Sequence, residues 1–167
     1  FGMNDSGYFE YNGDKPKEFG EQKYQESIKN YQQMEKRFKD LPDTRIVMVG
    51  TSPYDETVQL KENTPFKTKN ETIKRLVEYQ KESAVKNNWE FTDLNAPMTA
   101  INQQYQQKDS TFTLCGSDRI HPDNDGHMVM AYLFLKAQGF VGKEVADMEI
   151  NANKKQAVKS ENCTVSN

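Results

Sequence analysis

Apolar residues recur at three- and four-residue steps in four stretches of the chain, the spacing that puts one stripe on a helix. Tyr24, Ile28, Tyr31, Met34 and Phe38 form the first stripe. Ile73, Leu76, Val77, Gln80 and Ala84 mark a second helix, and Thr68 with Glu71 predicts a capping box at its start. Met98, Ile101 and Tyr105 mark a shorter third, entered through Asn95 and Pro97. The fourth is predicted over about 125–138 and ends at Gly139, a natural left-handed terminator. Its central stretch, 128–135, is apolar almost all round, so this helix is expected to be the most buried.

Strand patterns are fewer. Ile46-Val47-Met48-Val49 is a continuous apolar run, the pattern of a strand covered on both faces. Residues 89–92 form a second candidate between the second and third helices. Strands alternating with helices predict βαβ units and a parallel sheet. Phe1-Gly2 reads as the exit of a further strand. After Gly139 the texture changes, and 144–150 and 156–159 flank Asn151-Ala152-Asn153 as strand, turn and strand. The chain therefore divides into an α/β part, 1–140, and the start of an appended β segment, 141–167.

Composition adds a shortage of core. Leu, Ile, Val and Phe make up about 19% of the 167 residues, at the border where a highly charged chain would be disordered. Here 22 basic and 25 acidic residues nearly cancel, and eight Tyr and seven Met add apolar bulk. With no Lys/Arg stripe there is no footprint for nucleic acid. No apolar run approaches the roughly 20 residues of a membrane helix, so no span is predicted. Phe1 to Asp5 carry neither the basic start nor the apolar stretch of a signal peptide, and the compartment stays open. Cys115 and Cys163 could pair or stay free. Asn70-Glu71-Thr72 and Asn162-Cys163-Thr164 match the glycosylation sequon.

The chemistry concentrates in one stretch. His121 and His127 are the only histidines, and both lie in the segment from Cys115 to His127. A base that works near neutrality is most often His. Asp118 precedes His121 by three residues, so a turn could bring its carboxylate onto one ring nitrogen and fix the tautomer. The competing reading has Asp118 and Asp123 capping turns and His121 merely exposed. A metal is not expected. Asp123-Asn124-Asp125-Gly126 resembles the middle of a calcium loop but lacks the closing Glu, having Tyr132 there. Cys115, His121 and His127 do not have a zinc spacing. At the other end of the chain, Gly2-Met3-Asn4-Asp5 follows an apolar residue. That would place an Asn amide at a strand's C-terminal end, where open α/β sheets bind ligands and where it could donate to an oxyanion. An Asn-Asp turn suits these residues equally well.

Gly2-Met3-Asn4-Asp5 and Asp118-Arg119-Ile120-His121 together resemble the third and fifth sequence blocks of the SGNH (GDSL-type) hydrolases, Gly-x-Asn-Asp and Asp-x-x-His. The resemblance covers about 1–140. It implies a flavodoxin-like, doubly wound parallel α/β fold and a serine esterase acting by acyl transfer, without a cofactor. It makes His121 the base, Asp118 its orienting acid and Asn4 the oxyanion-hole amide. It also implies a small ester as substrate, with a short acyl group on a carbohydrate preferred. The family's nucleophilic Ser and oxyanion Gly belong to blocks before Gly-x-Asn-Asp, and this sequence begins at that block. The chain is thus expected to be an incomplete, C-terminal portion whose Ser comes from an upstream segment of the same protein.

Gly50-Thr51-Ser52 imitates a nucleophile turn, but it follows the third block and Pro53 holds Ser52 extended. Asp5, Tyr54 and Asp55 are expected to line the substrate cleft, and Ser6 and Tyr8 could do likewise. His127 is expected to be structural or to sit at the rim. The alternative to an esterase is a non-catalytic binding or scaffold protein of the same fold.

Overall fold

The computed structural model describes residues 2–166. The strand exit expected at Phe1-Gly2 starts on Phe1, which lies outside the described residues. A 3-10 turn, Phe9–Asn12, leads into α1 (Pro16–Lys39), followed by β1 (Val47–Val49) and α2 (Lys69–Asn87). Then come β2 (Glu90–Thr92), α3 (Asn95–Gln106) and α4 (Asn124–Ala137), and last β3 (Asp147–Asn151) and β4 (Gln156–Glu161). All four expected helices and both expected α/β strands are present.

β1 and β2 pair in parallel, with Met48 opposite Phe91, and α2 is the crossover between them. This is the α/β arrangement that the alternation predicts. Alternate side chains of a strand point to opposite faces, so Met48 and Phe91 turn together toward one layer. There Tyr31 of α1 and Leu76 and Ala84 of α2 close on Met48, with Trp89 and Phe91 packed against the group. Each apolar side chain fully buried in this way contributes roughly 1.5–3 kcal/mol. A separate cluster, Leu94, Met98 and Leu114, receives Val129, Met130 and Leu133 from α4.

Three local expectations are corrected. β1 is not covered on both faces, because Val49 is 36% exposed and β2 is its one partner among the described residues. α4 is not the most buried helix. Its Val129, Met130 and Leu133 side is packed, but Met128 is 71%, Tyr132 53% and Leu135 49% exposed, with no described element against that side. The capping box at Thr68 does not form. Thr68 is left-handed (φ 67°) and makes no side-chain cap, and its buried hydroxyl has no partner. A distant carboxylate caps α2 instead: Glu56 accepts from the N–H of Thr68 (3.1 Å) and of Asn70 (2.6 Å).

Beyond Gly139, which is left-handed as expected (φ 76°), β3 and β4 form an antiparallel hairpin. Asn151 Oδ1 accepts from Lys154 N in its turn (2.9 Å). No helix among the described residues is long and apolar enough to cross a membrane.

Candidate active site

Segments 2–5, 51–52 and 120–122 enclose an open cleft of about 560 Å³ beyond the C-terminal end of β1. Asn4, Asp5, Ser52 and His121 all line it. The two motifs reach it by the same local logic. Met3 and Ile120 pack onto a shared core cluster of Tyr54, Ile73 and Val77. The next residue in each case, Asn4 or His121, is exposed at the cleft. An apolar residue that must be buried thus fixes the polar neighbour that must not be.

His121 is held by its own loop. Asp118 Oδ2 lies 2.6 Å from His121 Nδ1, and Asp118 Oδ1 accepts from the backbone N–H of Ile120 and of His121, both at 2.9 Å. Partial burial pushes the Asp118 carboxyl up, but hydrogen bonds from the His121 ring and from these N–H groups outweigh it and hold the carboxyl low. The carboxylate therefore stays an acceptor, keeps the proton on Nδ1 and leaves Nε2 as the basic nitrogen. Gly116 makes the loop possible. It is left-handed (φ 69°), and a Cβ there would stand 2.1 Å from the His121 carbonyl oxygen.

Arg119, between the two motif residues, turns the opposite way. Its φ is 69°, and its fully buried guanidinium donates to the carbonyls of Asp55 (3.0 Å), Val58 (2.8 Å) and Asn63 (2.6 Å). Asp55 N–H returns a bond to the Arg119 carbonyl (3.2 Å).

Asn4 sits in a tight turn closed by Ser6 N to Gly2 O (3.0 Å) and Gly7 N to Asn4 O (3.1 Å). Its side-chain carbonyl accepts from the Tyr8 hydroxyl. Beneath the turn lies Lys69, 0% exposed at the start of α2. Its ammonium donates to the carbonyls of Met3 (3.0 Å) and Gly7 and to Ser6 Oγ (2.7 Å), and lies 4.0 Å from the Tyr8 ring centre. Burial pulls the Lys69 ammonium down to about 7.

The expected cleft residues divide. Asp5 does line the cleft, with Oδ2 accepting from Gly2 N–H (2.7 Å). Tyr54 and Asp55 do not, being only 1% and 4% exposed. Tyr54 stacks on Phe66, and its hydroxyl accepts from Phe66 N–H (2.9 Å). Asp55 accepts at both oxygens, from Thr57 and Val58 at one and from Gln106 (2.9 Å) and Thr113 (2.7 Å) at the other. Buried polar groups seek partners, and these found theirs inside the chain. Ser52 is at the cleft wall, and no hydrogen bond joins it to His121 among the described residues. His127 is exposed in the first turn of α4, its N–H on the Asp123 carbonyl (2.9 Å).

Cys115 is buried and Cys163 half-buried, and both are free thiols. The sequon at Asn70 lies in the first turn of α2, with Thr72 buried and bonded to Tyr11 (3.0 Å). Three carboxylates gather on the hairpin, Glu144, Asp147 and Glu161, and two of them already hold the Lys159 ammonium (2.5 and 3.3 Å).

Lys69, Arg119 and Glu56 support the site, yet nothing in the residue pattern marks them out. A cation or carboxylate in a polar chain reads as surface until the fold brings carbonyls or N–H groups to it. Tyr8 carried a signal, its place four residues after Asn4.

Residues 1–134 match the model of the GDSL-like lipase/acylhydrolase family. The curated proteins give no match. Among solved structures the chain is similar to a gut microbial diltiazem-metabolizing enzyme, at 81% identity and a TM-score of 0.85. That match covers 100% of this chain and 38% of the other, so the chain spans well under half the length of its solved relative.

Proposed function

Since the chain belongs to the GDSL-like lipase/acylhydrolase family, we propose that it is the part of a serine esterase that supplies the base, its orienting carboxylate and one oxyanion donor. An upstream segment of the same protein contributes the nucleophilic Ser. The observation that carries this reading is the 2.6 Å contact of Asp118 with His121 Nδ1 beside a cleft that Asn4 also lines.

In this mechanism His121 Nε2 takes the Ser hydroxyl proton as the Ser oxygen bonds to the ester carbonyl carbon. The carbonyl π electrons move onto oxygen, and the Asn4 amide donates to that oxyanion, an interaction worth about 3 kcal/mol of transition-state stabilisation. Collapse breaks the bond to the alcohol, which leaves with the proton from His121. A water molecule then repeats the sequence on the acyl-serine and releases the carboxylic acid. No cofactor takes part in any step.

The substrate class we propose is a short-acyl, in the first place acetyl, ester. The open cleft of about 560 Å³ has room for such an ester on a bulky alcohol. The solved relative is described as a diltiazem-metabolizing enzyme, which makes diltiazem a substrate to test. The resemblance noted from the motifs adds acetylated carbohydrates. Acetate release from p-nitrophenyl acetate, diltiazem and an acetylated xylo-oligosaccharide by the longer protein ranks these. Release from none of them sinks the esterase reading and leaves the non-catalytic binding protein.

A further inference from the structure

A side-chain amide stabilises an oxyanion only if its NH₂ end faces the reacting oxygen. Turned over, Asn4 would present a carbonyl dipole of the wrong sign. Asn4 is exposed, so burial does not dictate which way its amide faces. Among the described residues, the one side-chain hydrogen bond that distinguishes its two ends is from the Tyr8 hydroxyl, which donates to Asn4 Oδ1 and so leaves Nδ2 for the cleft.

Tyr8 is unusually well placed for this. Gly7 takes a left-handed φ of 74° that bends the chain back, so Tyr8 returns to the residue four positions before it. A Cβ at Gly7 would stand 2.5 Å from the Phe19 ring, so the bend is pressed against α1. The Tyr8 ring is then held between the Lys69 ammonium, 4.0 Å from its centre, and the edge of Phe66, 6.2 Å between centres. The same ammonium bonds the carbonyls of Met3 and Gly7 on either side of the Asn4 turn. Burial, with the Asp118 and Asp5 charges nearby, pushes the Tyr8 phenol above its ordinary value, so its hydroxyl is a donor at neutral pH.

We propose that Tyr8 is a positioning residue of the esterase. It is clamped against the Lys69 amino group and fixes the Asn4 amide with its donor end toward the oxyanion. This rests on the role given to Asn4 above.

The test is a double-mutant cycle on kcat for p-nitrophenyl acetate in the longer protein, with Tyr8→Phe, Asn4→Ala and the pair together. Phenylalanine keeps the ring over Lys69, and an unchanged melting temperature verifies the fold. Tyr8→Phe is expected to lower kcat roughly five- to tenfold, the scale of one net hydrogen bond, with KM within about twofold. Asn4→Ala is expected to lower kcat roughly 10²- to 10³-fold. In the Asn4→Ala background Tyr8→Phe should then cost nothing, since there is no amide left to orient. A Tyr8→Phe loss that persists in that background, or that falls on KM, overturns the positioning role while leaving Asn4 as the donor. An Asn4→Ala variant with full kcat overturns the donor role and the inference with it.

Discussion

Replacing Lys69 with methionine removes the ammonium from beneath the Asn4 turn while keeping most of its volume. Lys69 is 0% exposed, and burial lowers its ammonium from 10.5 to about 7. In the unfolded chain the group titrates near its ordinary value. Between those two values the unfolded state holds a proton that the folded state has shed. The burial cost therefore stands in full below about pH 7 and is relieved as pH rises toward 10.5. Linkage over the interval from pH 7 to pH 9 gives a rise of about 2 kcal/mol in folding stability from this one group. The variant lacks it. It also leaves the Gly7 carbonyl without its side-chain donor, at about 1–3 kcal/mol, while the Met3 carbonyl keeps the Ser6 hydroxyl (2.7 Å). That second cost does not depend on pH, so it cancels when one protein is compared with itself across the range. Urea unfolding followed by the fluorescence of Trp89, the chain's one tryptophan, measures both proteins at pH 7, 8 and 9. Wild type is expected to gain about 2 kcal/mol on the variant from pH 7 to pH 9. A stability difference that stays constant over the interval refutes the reasoning, and would mean that the three acceptors keep Lys69 charged.

Other outcomes follow from the same contacts. Asp55→Ala removes the buried acceptor shared by donors on Thr57, Val58, Gln106 and Thr113, and is expected to lower stability by about 3 kcal/mol. A urea midpoint unchanged from wild type would contradict the buried role given to Asp55. Burial pushes the Cys115 thiol up to about 12, so brief iodoacetamide treatment of the native protein at pH 8 should alkylate Cys163 first. Peptide mass spectrometry reads the order, and equal labelling of both would show that the Cys115 pocket is open. Glu56→Gln weakens the charge at the start of α2 and should cost about 1 kcal/mol, measured by thermal melting. No loss of stability would mean that α2 is capped in some other way.

The motifs were legible because their geometry is local. Asp118 and His121 are three positions apart, and a single turn is enough to close that distance. The helices and the two parallel strands were legible from their apolar spacing. What lay hidden depends on contacts distant in sequence. Asp55 looks like a loop carboxylate until Gln106 and Thr113 arrive from α3 and the loop after it. Arg119 is indistinguishable from a surface cation until the carbonyls of 55, 58 and 63 converge on it. The burial of α4 was overestimated for a related reason. A helix that is apolar all round implies neighbours on every side, and among the described residues α4 has them on one.

The central claim is that His121, oriented by Asp118, activates a serine outside this chain. A fluorophosphonate probe, which bonds covalently to activated serines, reads that directly in the longer protein when the adduct is mapped by mass spectrometry. The account predicts an adduct on one Ser upstream of Phe1, with labelling abolished by His121→Ala and slowed at least tenfold by Asp118→Asn, the scale of a hydrogen bond to a charged group. An adduct on Ser52, or labelling that proceeds unchanged without His121, would contradict it.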